Sequence, residues 1–224
     1  MKFIFLGLVS VFLWQACSDS AAARRRTAEC YVRYDALDGQ WLSEVTLREG
    51  VDGQSGGKAV ESPTGVRYQN VLMRTLPFKD ITYRLEQAGG YTATHKFEWQ
   101  DSDEKKYRFE MDMPAMTGFT FGTKNLSNKQ PASLRWDGAP LERNESVVFM
   151  WESTDGGLTV PMEITGSQGM DHIDFPAAQM AKIPAGNWSL YLVRKKQVKR
   201  DLDGTQTVGV VEYYSRPDTF SVQN

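Results

Sequence analysis

The most concentrated set of metal-capable side chains lies in Met111-Asp112-Met113-Pro114-Ala115-Met116. Thioether sulfur is a soft donor suited to Cu(I). In an extended strand Met111 and Met113 project to one face, with Met116 beyond the bend at Pro114. No histidine or cysteine reinforces them nearby, and flexible thioethers also fill irregular gaps in a core. The residues therefore read either as copper ligands or as packing at a joint. There are only two histidines. His172, in Asp171-His172-Ile173-Asp174, has carboxylates beside it that could orient a base or complete a weak metal cluster. His95 reads as a half-exposed strand residue. Neither Gly-x-Ser-x-Gly, His-Glu-x-x-His nor Cys-x-x-Cys occurs, so no nucleophile or cofactor motif stands out and no cofactor is expected.

Aromatic platforms are the other candidate chemistry. Trp41 and Trp136 lie nearest to turns and could stack on sugar rings. Trp151 and Trp188 have the phase of core residues. Asp201-Leu202-Asp203-Gly204 is superficially like a calcium loop but lacks the downstream glutamate that completes six to eight oxygens, so it reads as a hairpin turn. Cys30 sits in an alternating stretch and reads as a buried strand thiol.

Cys17 is different. Lys2 is followed by a nearly unbroken apolar run, 3–14, and Ala16 directly precedes the cysteine. A charged start, a short apolar core and a small residue form an export signal. The run is too short to cross a bilayer, which takes about 20 apolar residues. Leu13-Trp14-Gln15-Ala16-Cys17 resembles the lipobox of bacterial lipoproteins, although Trp14 and Gln15 replace its usual small or aliphatic residues. The resemblance implies cleavage before Cys17 and acyl chains on its sulfur. A rival cut after Ala21-Ala22-Ala23 would start the mature chain at Arg24. Residues 17–26 read as a flexible tether. Its three arginines, Arg24, Arg25 and Arg26, read as solvated or as partners of anionic head groups.

The elements that must position these groups are strands. Formal net charge is −2, so there is no basic excess to track a phosphate backbone, and nucleic-acid binding is not expected. Aromatic and β-branched residues are frequent, and strict alternation recurs along the chain. The segment 41–49 breaks its own phase at Leu42 and Glu44, which predicts a bulge or a strand exposed on both sides. A strand is predicted over 66–73. The segments around 81–86, 91–99 and 107–111 predict a three-strand meander, its first turn at Ala88-Gly89-Gly90. Pro114 marks a joint. Beyond it, alternation at 147–151, 158–162, 190–193 and 208–212 predicts short strands, with one helical turn near 177–182.

About seven short strands with turns every 8–12 residues form the pattern of a sandwich. The phrase 183–193, a Pro-Ala-Gly turn before an aromatic and alternating aliphatics, resembles immunoglobulin-like bacterial domains. The expected fold is all-β: a signal at 1–16, a tether at 17–26, an antiparallel β unit at 27–113 and an immunoglobulin-like sandwich at 114–224. The whole resembles Gram-negative lipoproteins that carry such domains. That implies an outer-membrane lipoprotein facing the periplasm or the cell surface. It would be held to the membrane by its N-terminal lipid and act as a non-catalytic module for an envelope protein or glycan. The alternatives are an envelope-polymer hydrolase and a copper carrier.

Overall fold

A computed structural model describes residues 24–51, 57–77 and 81–224. Cys17, the signal segment and most of the tether lie outside the described residues. The first strands are β1 (Arg24–Asp35), β2 (Gln40–Val51), β3 (Lys58–Ala59), β4 (Arg67–Tyr68), β5 (Val71–Leu72) and β6 (Arg74–Pro77). They are followed by β7 (Ile81–Ala88), β8 (Thr94–Gln100), β9 (Lys106–Asp112), β10 (Met116–Phe121), β11 (Asn125–Ser127) and β12 (Ala132–Gly138). Next come β13 (Glu145–Ser153), β14 (Thr159–Thr165), β15 (His172–Phe175) and α1 (Ala177–Met180). The chain closes with β16 (Gly186–Leu202), β17 (Thr205–Tyr214) and β18 (Asp218–Gln223). Over the described residues the fold is all-β apart from that one helical turn.

β16 organises the molecule. One flank of it pairs with β13 from Trp188 to Lys196. Its other flank pairs first with β18 and then with β17. Between those two, the Ser215 N–H donates to Leu192 O at 2.9 Å, so β17 and β18 run past β16 almost as one strand. On the far side of β17 lies β1, in a parallel ladder from Arg26↔Thr205 to Asp35↔Tyr214. β2, β7 and β6 continue that sheet by antiparallel pairing. Two smaller sheets cover it. The sheet β5-β4-β8-β9 lies over the β1, β2 and β17 region. There Tyr34, Trp41, Tyr91, His95 and Tyr213 meet ring to ring at 4.6–5.9 Å. The sheet β10-β12-β15 covers β13, β16 and β18. There Phe121, Phe149, Trp151, Phe175 and Phe220 form a second aromatic core.

Pro114 lies between β9 and β10. The large sheet is not divided there. β16 and β17, from beyond residue 114, complete the sheet that β1, β2 and β7 begin. The expected antiparallel pairing also has exceptions, since β1–β17 and β11–β18 are parallel.

Several local expectations are corrected. β2 carries no bulge against β1: Trp41, Ser43, Val45 and Leu47 all point inward. The small buried Ser43 hid the alternation. The strand expected over 66–73 is two short ones, β4 and β5. Gln69 and Asn70 turn the chain between them with φ of 49° and 65°, the left-handed pair that suits a tight hairpin. β7 pairs with β2 and not with β8, so 88–93 crosses between sheets, and of the expected meander β8–β9 alone forms a hairpin. The tether also ends earlier than expected, because Arg24–Arg26 begin β1. The Arg26 guanidinium is bonded to Asp101 Oδ2 at 2.6 Å and Glu49 Oε1 at 3.2 Å, and also to Asp103. Those three carboxylates occupy it in place of a head group.

Candidate functional site

The methionine cluster is inside the protein. Met111, Met113 and Met116 are 1%, 0% and 0% exposed. Met111 fills the space above Gly209 of β17, where a Cβ would collide with its sulfur and with Phe109. The core needed flexible apolar filler at the joint, and the three sulfurs do not converge on an open surface. Among the described residues no group of three His, Cys, Asp or Glu side chains could hold a metal ion.

The aromatic platforms are also core. Trp41 is 4% exposed and Trp136 is 3% exposed. Trp41 stacks on Tyr91 at 5.2 Å and 11°, and its Nε1–H donates to Gly90 O at 3.2 Å. Each ring lies on the inward phase of its strand, so nearness to a turn did not expose it.

His95 is fully buried, not half-exposed. Its Nδ1 is 2.9 Å from the Tyr68 hydroxyl, and its Nε2 has no hydrogen-bond partner. Burial outweighs the nearby Asp112 carboxylate and pulls its pKa down to about 4, so it is neutral near pH 7. Cys30 is buried as expected, and burial raises its thiol well above the ordinary range. His172 stays at the surface, with Nδ1 2.8 Å from Asp171 Oδ1. That bond and the Arg135 guanidinium hold the Asp171 carboxyl below its usual range. Sequence reasoning missed the charged pair Arg194–Glu145, both side chains of which are 0% exposed. Arg194 also donates to Ala139 O and Pro140 O, each at 3.0 Å. The Lys196 ammonium lies 3.5 Å from the other carboxylate oxygen of Glu145. Arg194 sits where β13, β16 and β17 run side by side, and the sequence signal was a cation on the inward phase set by Leu190 and Leu192.

Sheet edges are accessible as well. An edge strand offers unpaired N–H and C=O groups to another chain, and proteins usually blunt such edges with proline, bulges, charge or shortness. β5, β6, β11 and β15 have four residues or fewer. β10 is disrupted by a register shift between Met116 and Gly118. On β14, the bonds Ser153 N–H to Leu158 O and Gly166 N–H to Glu145 O fix which residues bond inward to β13. Antiparallel ladders alternate, so Thr159, Pro161, Glu163 and Thr165 turn their backbone groups outward. Pro161 removes one donor from that free edge. Beyond Lys196, β16 is also unpaired on one flank, but its first outward N–H, that of Gln197, reaches Asn144 O at 3.3 Å.

β9 has neither a proline nor a break in register. Asp101 N–H donates to Lys105 O, and Met113 N–H donates to Ala93 O. By alternation, the odd-numbered residues of β9 bond to β8. Lys106, Arg108, Glu110 and Asp112 therefore direct their backbone groups away from β8. No described strand pairs with that side. The same residues carry their side chains on the outer face, while Tyr107, Phe109 and Met111 are buried. The Arg200 guanidinium lies over the Phe109 ring at 5.9 Å. The site is thus a strand of seven residues, anchored inward by three large side chains and, among the described strands, paired along one side only.

No family model matches the chain, and no curated protein matches it. Among solved structures, murine CEACAM1b is similar over 88% of this chain and 100% of its own, at 10% identity and a TM-score of 0.26. A tetra-tandem repeat from the extending region of a large adhesion protein is similar over 87% of this chain and 50% of its own, at 13% identity and a TM-score of 0.29. Fibronectin(III)-like modules of Clostridium thermocellum CbhA are similar over 85% of this chain and 94% of theirs, at 10% identity and a TM-score of 0.25. Likeness at these scores says nothing about what this chain binds.

Proposed function

We infer that this chain is an exported, lipid-anchored envelope protein acting as a non-catalytic binding or assembly module. Its partner adds a strand to the open edge of β9. The observation that supports this reading is the row of outward backbone groups on Lys106, Arg108, Glu110 and Asp112, which no described strand uses. In strand addition, main-chain hydrogen bonds give affinity and the alternate side chains give selectivity. The export signal and Cys17 support placement in the outer membrane, where acyl chains at about 0.8 kcal/mol per buried CH₂ hold a protein firmly once two or more are attached.

The test is recovery of the full chain from membranes after cross-linking, with two variants. Cys17→Ala should release the chain into the soluble fraction. Arg108→Pro removes an outward N–H without breaking a bond to β8, and should abolish the cross-linked partner. Capture that persists in Arg108→Pro would refute the edge, and a Cys17→Ala chain that stays with the membrane would refute the anchor.

A further inference from the structure

We propose that the strand added to β9 is β9 of a second copy, antiparallel about a two-fold axis at Phe109. This rests on the reading of β9 as a strand-accepting edge. The outward side chains run Lys106, Arg108, Glu110, Asp112, two cations followed by two anions. Antiparallel pairing centred on Phe109 sets Lys106 opposite Asp112 of the second copy and Arg108 opposite its Glu110. By symmetry each match occurs twice. All four facing pairs have opposite sign. A shift of two residues either way sets Arg108 or Glu110 against its own copy, and opposite charges are favoured and like charges disfavoured directly across a ladder. Parallel pairing in register would set like against like throughout. Among antiparallel registers that face the even-numbered residues, the charges therefore favour the one centred on Phe109.

The backbone agrees with that register. The facing residues are the even-numbered ones, whose N–H and C=O groups point outward. Each facing pair can exchange two hydrogen bonds as a closely bonded pair. The odd-numbered residues, with side chains committed to the core, fall in the non-bonded positions between them.

The rest of the outer face continues the same pattern. Within one copy Arg67 faces Glu98, Glu98 faces Arg108, and Lys96 faces Glu110. Crossing the axis, Arg108 meets Glu110 of the second copy, which faces its own Lys96. Sign alternates from strand to strand through the joined sheet. Charge on an edge often serves only to repel other strands. An arrangement of two cations and two anions that is opposite to itself on rotation repels most strands and accepts its own copy. A patch of this length falls in the weak, transient class of interfaces. Tethering both copies to one membrane raises their effective concentration.

Register-specific disulfide trapping on membranes tests this, using the full chain. Lys106→Cys and Asp112→Cys variants are co-expressed and exposed to a mild oxidant. In the proposed register these positions have Cα atoms about 5.5 Å apart, within disulfide reach. Position 106 lies about 20 Å from its own copy, from the strand rise. The co-expressed pair should give at least about tenfold more cross-linked dimer than either variant alone, by those distances. Adding Arg108→Pro to both chains should abolish it. Equal trapping in single and paired variants, or none in the pair, overturns the self-pairing. If in that case Arg108→Pro still abolishes capture of a different protein, the edge reading stands and only the identity of its occupant is wrong. If neither responds to Arg108→Pro, both fall.

Discussion

His95 and Arg194 are both polar groups sealed into β-sandwich cores, and each leads to a different experiment. The folded His95 pKa of about 4 lies below its unfolded value of about 6.5. The unfolded chain therefore binds the proton more readily between those values. The stability from a neutral His95 is complete above about pH 6.5 and is lost as pH falls toward 4. The full loss is about 3 kcal/mol by that shift. Urea unfolding of the wild type against His95→Phe should show it as a steeper loss for the wild type over pH 6.5 to 4, and parallel curves would contradict it. Arg194→Ala would leave the Glu145 carboxylate buried and without its main partner. Removing one member of a buried pair costs about 3–5 kcal/mol. Denaturant unfolding should register that loss, and a matched Arg194→Met/Glu145→Leu variant should recover most of it.

At the scale of elements, edges separate the strands by role. Pro161 takes one N–H from the free side of β14, and Lys106 to Asp112 charge the free side of β9. Pro161→Thr would restore a full outward row on β14 next to half-buried Val160, Met162 and Ile164. Light scattering on heating should show earlier aggregation of that variant than of the wild type. Alternation in the sequence identified most strands because inward residues of a sandwich must be apolar, as in Val147, Phe149 and Trp151. It misread β2 because Ser43 is small enough to be buried despite its hydroxyl. Pairing partners were not legible. The β7–β8 crossover and the β1–β17 ladder join segments whose local patterns are the same as those of hairpin strands. The β9 charges were visible, but whether that strand lay at an edge depends on topology, which no local pattern encodes.

At the scale of the molecule, the two sandwiches share β16, and the Arg194–Glu145 pair lies where β13, β16 and β17 meet. A chain ending at Met113 would lose β16 and β17 and leave β1 without its parallel partner. Circular dichroism should show that fragment largely unfolded, whereas the intact chain should unfold in a single cooperative transition. The methionines at the joint belong to this scale as well. Their clustering in sequence left ligand and filler both open, and the burial of all three side chains favours filler.

The most direct test of the account is residue-resolved amide hydrogen exchange on the full chain. It should be measured at low concentration and then at the density reached on a membrane. Tyr107, Phe109 and Met111 should be protected in both states, since their N–H groups bond to β8. Lys106, Arg108, Glu110 and Asp112 should exchange freely when dilute and become protected at high density. Free exchange of those four under every condition, or protection already complete in the dilute monomer, would contradict the claim that β9 is an open edge that recruits a strand.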